Sequence, residues 1–213
     1  MIKYFSIVFL FVFSSSFLSA QNEFKSSSFV SGLMGNARVS NAGNSNETPV
    51  SLTFGGSFGV PVAKNLYLYT RASFSSKSNF QSFFNTSFIN AQNLLDGQLV
   101  EVTSSFSQLL LNGGLLYNFI LSEDWTLGLN GGMSFSIVNQ EAKLFDGRVI
   151  SSVNNEAIWG AFGGLIVEKY WGENSVSTFF EAQYNYAKSD AAYNISALNT
   201  MNYTFGVRYY LSR

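Results

Sequence analysis

Four charged residues lie on segments that otherwise alternate apolar with small polar side chains: Arg71, Glu168, Glu181 and Arg208. Two carboxylates and two guanidiniums can hold one another as ion pairs, because charges buried together normally pair. Glu181 and Arg208 fall at comparable distances from the ends of neighbouring segments and are expected to pair, with Arg71 and Glu168 as further members. Such a network either plugs and registers a scaffold or acts as a switchable ion gate. Carboxylate-only hydrolysis would need the two acids clustered, and arginine partners explain Glu168 and Glu181 more simply. Nucleophilic and metal chemistry are poorly served, since the chain has no His and no Cys. That removes Ser-His-Asp catalysis, thiol nucleophiles, thiolate zinc and imidazole-bound metals. No catalytic residue, metal site or cofactor is assigned, and a non-enzymatic protein is expected. Twelve Lys and Arg against 13 Asp and Glu leave a net charge of -1, which argues against a nucleic-acid partner.

Two further groups suggest contact rather than reaction. Phe80, Phe83, Phe84 and Phe88, with Ile89, crowd one segment at a spacing that suits either one face of a short helix or a cover over an opening. So dense an apolar group outside a core marks a contact site, for a partner, an acyl chain or a hydrophobic ligand. Leu94 to Val100 and Leu144 to Ile150 resemble each other. Each carries Asp-Gly (Asp96-Gly97 and Asp146-Gly147) between strand-forming residues, as a hairpin tip with a two-residue turn would.

The elements that must position these residues are strands. Period-two alternation is cleanest over Trp125 to Val138, residues 50 to 60 and the last segment from Met201 to Leu211. Weaker alternation marks Phe29 to Arg38, Leu66 to Ser75, Ser105 to Phe119, Ala157 to Lys169 and Val176 to Ala187. The connections alternate strictly between short (61–65, 120–124, 170–175) and long (39–49, 76–104, 139–156, 188–198). An even strand count with segregated loop lengths is expected of a membrane barrel with short periplasmic turns and long outer loops.

Charge placement separates that barrel from a soluble one. Only 12% of the chain is charged, about half the usual share. The charges collect in connections or on the polar face; Lys169 is expected to be alone on the apolar face, at a strand end where it reaches headgroups. Tyr117, Trp125, Tyr170, Trp171, Tyr209 and Tyr210 gather at matching strand ends, as an interfacial girdle would. Lys3, the apolar run from Tyr4 to Phe13 and the small residues before Gln21 have the order of a signal peptide, cleaved near Ala20. The expected organisation is a signal peptide at 1–20, a periplasmic lead-in at 21–27, and an outer-membrane β-barrel at 28–213. The fold class is all-β: an eight-stranded antiparallel up-and-down transmembrane β-barrel.

The pattern over about residues 28 to 213 resembles the small eight-stranded outer-membrane proteins of OmpX/OmpA-barrel type. Its most specific piece is the terminal strand Asn202-Tyr203-Thr204-Phe205-Gly206-Val207-Arg208-Tyr209-Tyr210-Leu211, which is similar to the C-terminal signal read by the barrel-assembly machinery. The resemblance implies a monomer in the bacterial outer membrane, among lipid and lipopolysaccharide. It also implies that strands three to six continue beyond the bilayer as a protruding sheet. The expected role is surface contact, adhesion or envelope integrity through the outer hairpins, with an extracellular partner. A narrow channel or carrier for small or hydrophobic solutes is the alternative, and a soluble periplasmic binding barrel the third.

Overall fold

The computed structural model describes residues 27–40, 50–85, 99–144, 147–171, 175–187 and 198–211. Residues 1–26, expected to hold the signal peptide, and much of the long connections, with Phe88, Asp96, Gly97 and Asp146, lie outside them. Eight strands follow in chain order: β1 Phe29–Ser40, β2 Val50–Ala63, β3 Leu66–Asn85, β4 Leu99–Ile120, β5 Trp125–Lys143, β6 Val149–Tyr170, β7 Val176–Ala187 and β8 Leu198–Tyr210. Each pairs antiparallel with its chain neighbours, and β1 closes on β8 from Phe29↔Tyr210 to Ser40↔Asn199. Closure leaves the wall without a free edge, which is how a sheet satisfies every backbone amide in hydrocarbon.

Alternation sorts the side chains as the pleat demands. Along β8, Tyr203, Phe205, Val207 and Tyr209 face outward and exposed, while Asn202, Thr204 and Arg208 are buried inside. Along β2, Leu52, Phe54 and Phe58 face outward and Ser51, Thr53 and Ser57 inward. The outer face is thus apolar and unpacked, the inverse of a soluble barrel. Lys169 is not alone there: Arg38 also stands on the outer side, because odd positions of β1 point inward. Both lie at strand ends, Lys169 opposite Trp125 and Arg38 near the far end of β1.

The lower turns are tight. Lys64 and Asn65 turn the chain between β2 and β3, with Asn65 in the left-handed region (φ 62°) that Asn tolerates better than most side chains. Pro61 sits where the β2–β3 register shifts, a bulge position that suits a residue without an amide hydrogen. Within the wall, Gly114 and Gly132 let β4 and β5 approach: a Cβ on Gly114 would lie 2.1 Å from the Gly131 carbonyl oxygen.

β3 to β6 run 20, 22, 19 and 22 residues, well past the alternation that marks them in the sequence. The described parts of 76–104 and 139–156, expected as long outer connections with hairpin tips, are thus mostly strand. Phe80, Phe83 and Phe84 belong to β3, opposite Ser104, Glu101 and Val100, and the helical alternative does not hold for them. Apolar spacing alone cannot show that β4 supplies partners for those backbones.

Candidate functional site

The lumen charges form two separate pairs. Near the periplasmic end, Arg208 Nη1 bonds Glu168 Oε2. Glu168 Oε1 also accepts from Ser177 Oγ and from the Tyr210 hydroxyl, the latter at 2.8 Å. Phe29 and Phe179 enclose the guanidinium, with ring centroids 4.0 and 5.0 Å from its carbon. Higher up, Arg71 Nη1 meets Glu181 Oε2 at 2.6 Å across the barrel. Asn130 Nδ2 donates to Glu181 Oε1 at 2.6 Å, and the Tyr69 hydroxyl reaches the same oxygen at 3.4 Å. All four charges are buried.

The expected pairing of Glu181 with Arg208 is not the one formed. The β7–β8 register sets Arg208 opposite Ser177 and Glu181 opposite Thr204. Four residues of strand separate the two levels by roughly 13 Å, too far for contact. Glu168 on β6 meets Arg208 instead, and Glu181 takes an arginine from the facing wall. Desolvating two ions is offset only when geometry and further hydrogen bonds are good, and both acids have such bonds.

The girdle also needs correction. Trp125, Trp171 and Tyr209 are exposed on the outer face, and Tyr117 stacks edge-on with Phe119 at 4.7 Å between centroids. Lys169 Nζ lies 4.4 Å from the Trp171 ring and 5.5 Å from that of Trp125. Tyr170 and Tyr210 instead turn inward, their hydroxyls 2.7 Å apart over the Glu168 pair. Parity held the signal: Tyr170 is two residues from Glu168 and Tyr210 two from Arg208, so each shares that charge's face. A second aromatic level went unread, with Phe135 against Trp159 at 4.8 Å. Trp125 to Phe135 is ten residues, roughly 33 Å of strand; at a tilt near 40° that spans about 25 Å, the height of an apolar band between girdles.

No family model matches the chain, and no curated protein sequence does. Among solved structures, Neisserial surface protein A is similar at 14% identity over 86% of this chain and 97% of that one, with a TM-score of 0.53. Ail, the attachment invasion locus protein of Yersinia pestis, is similar at 12% identity over 88% of this chain and 100% of that one, also with a TM-score of 0.53. The fold is that of the small eight-stranded outer-membrane barrels.

In this barrel the candidate contact surface is the sheet above the wall. The last β2–β3 pair is Leu52↔Ser76 and the last β6–β7 pair is Gly160↔Ala187. Above these, among the described residues, β3 to β6 pair only with one another. Among the described residues, stretch 77–85 of β3 and stretch 149–159 of β6 are then outer edges. Both break register as they leave the wall: β3 between Lys77 and Phe80, and β6 where Val153 and Glu156 face Gln140 and Val138. Asn155 (φ 53°) sits in that break, its amide donating to Asn139 Oδ1 at 2.8 Å. At the β5–β6 tip, Gly147 N–H donates to Leu144 O and Leu144 N–H to Arg148 O, both at 2.9 Å. Gly147 has φ 85°, a left-handed conformation that suits glycine at a hairpin tip.

Proposed function

We propose that this chain is an exported, non-enzymatic protein of the bacterial outer membrane. It acts through its protruding β3–β6 sheet, in surface contact or envelope integrity. In this reading residues 1–20 are removed on export, and the barrel stands as a monomer in lipid and lipopolysaccharide after delivery to the assembly machinery. The observation that carries the reading is strand length. A membrane strand needs about 9–11 residues, which the 12 to 14 of β1, β2, β7 and β8 meet. The 19 to 22 of β3 to β6 leave roughly ten residues per strand beyond the bilayer.

A sheet built at that cost in chain ordering, with two outer edges, can take an added strand from an extracellular partner. The name of the Yersinia pestis neighbour, which speaks of attachment and invasion, fits this reading. The lumen weighs against the channel alternative, since eight strands leave room for little beyond side chains and here two ion pairs and many rings fill it. The test is to shorten the β5–β6 hairpin at its tip, removing 141–152 with a replacement turn. Heat-modifiable migration and outer-membrane fractionation should be unchanged, while adherence of cells bearing the variant to a target surface should drop. Unchanged adherence would sink the proposal.

A further inference from the structure

Lys169 is a charge on the outer face with a built surround. It stands in a cross-strand row with Trp125 on β5 and Thr178 on β7. Strand β6 ends at Tyr170, and the indole Nε1 of the next residue, Trp171, donates to Thr178 Oγ1 at 3.0 Å. That bond holds the Trp171 ring beside Lys169, with Nζ 4.4 Å from its centroid and 5.5 Å from that of Trp125. Both rings attract the ammonium through their faces, and neither neutralises it.

Carboxylates do not neutralise it either. Glu168, its neighbour in the chain, faces inward and holds Arg208. Glu123 and Asp124 are exposed in the β4–β5 turn, and among the described residues no acid pairs with Lys169. Lys64 offers a contrast at the same end of the barrel. It is exposed in the β2–β3 turn, and among the described residues no ring lies against it.

The wall next to Lys169 is apolar. Two residues further from the strand end, Leu127, Val167 and Phe180 form the adjacent outward row. Val167 and Phe180 are exposed there, roughly 7 Å along the strands from the charge. A cation at the rim with an apolar strip rising from it matches an amphiphile with a negative head and a hydrocarbon tail. Lysine suits that head, being a compact charge with three donors. A zwitterionic head would bring its own ammonium toward Lys169, whereas a head whose net charge is negative would not.

We infer that Trp125, Lys169, Trp171 and Thr178 form a binding site for the phosphodiester of an anionic glycerophospholipid in the periplasmic leaflet. Lys169 meets the phosphate oxygens, the two rings hold the ammonium in place, and an acyl chain lies over Val167 and Phe180. The site rests on the barrel standing in the outer membrane.

The test places the refolded chain in nanodiscs of equal parts phosphatidylglycerol and phosphatidylethanolamine and counts retained lipid by native mass spectrometry. Phosphatidylglycerol should be retained about fivefold over phosphatidylethanolamine, the scale of one basic group at a lipid surface. Lys169→Ala should bring the ratio to within about twofold of parity. Lys169→Arg, which keeps the charge and stacks on rings, should preserve the preference, and so should Lys64→Ala. Trp125→Leu combined with Trp171→Leu keeps the charge without its surround and should lose most of the preference. A preference that survives Lys169→Ala or the ring substitutions, vanishes with Lys169→Arg, or falls as far with Lys64→Ala would overturn the site. Heat-modifiable migration reports folding in every case. A heat-modifiable, inserted chain without lipid preference would overturn the site and leave the membrane reading standing; a chain that fails to enter the nanodiscs would overturn both.

Discussion

The wall of the barrel and the sheet above it are made of the same strands, yet they are held by different forces. In the wall every strand has two neighbours, its outer face is apolar, and its inner face is tied by buried ion pairs. Above the wall four strands pair only with each other among the described residues. An ion pair there, Glu141 with Lys143 at 2.9 Å, is 40% and 46% exposed. The difference is one of surroundings. Lipid outside and burial inside make each polar group expensive unless paired, whereas water forgives nearly any substitution. The wall is therefore tightly specified, and the sheet is freer to vary.

Substitutions that move the same chemistry between the two regions test this contrast. Arg208→Met, which strands Glu168 among aromatic rings, should lower stability to urea in lipid vesicles by about 3–5 kcal/mol. A smaller loss than 1 kcal/mol would mean the lower pair is solvated. Next comes a matched pair. Leu129→Arg, on the outer face near mid-height, should cost about 2–4 kcal/mol. Val149→Arg, equally exposed but beyond the wall, should stay within about 0.5 kcal/mol. Equal costs for the two would erase the boundary between the regions.

Gly147→Val forces a branched side chain into φ 85°, at about 1–2 kcal/mol or somewhat more. Its effect should be confined to the tip: faster amide exchange over 141–151, with the global unfolding midpoint unmoved. The smallest effect is expected from Lys143→Ala. Loss of an exposed pair is worth about 0–1 kcal/mol, so no shift in the unfolding curve should be resolved.

Much of this architecture was legible in the order of residues, because a period of two is a local property. Trp125 to Val138 announces its two faces whatever it packs against, and the same holds at Leu52 to Phe58 and Tyr203 to Tyr209. Parity also placed Arg71, Glu168, Glu181 and Arg208 together on the inner face. Residue type alone puts Tyr170 and Tyr210 in the girdle, whereas parity puts each on the same face as a buried charge two positions away. The layering of the lumen was harder to see. Leu116, Ile166 and Ile158 look like interruptions of a polar face until strands are aligned and the interruptions become two apolar clusters.

By itself, then, the sequence determined the strands, their two faces, the closed membrane-type barrel and the sorting of charge away from lipid. Each follows from side-chain type and spacing along one strand. Only the tertiary structure decided which arginine meets which glutamate, how far β3 to β6 outrun the wall, and where the lumen is apolar. Those depend on register between strands and reach across the barrel. A one-residue shift in register, about 3.4 Å along a strand, changes every partner while leaving the sequence pattern untouched.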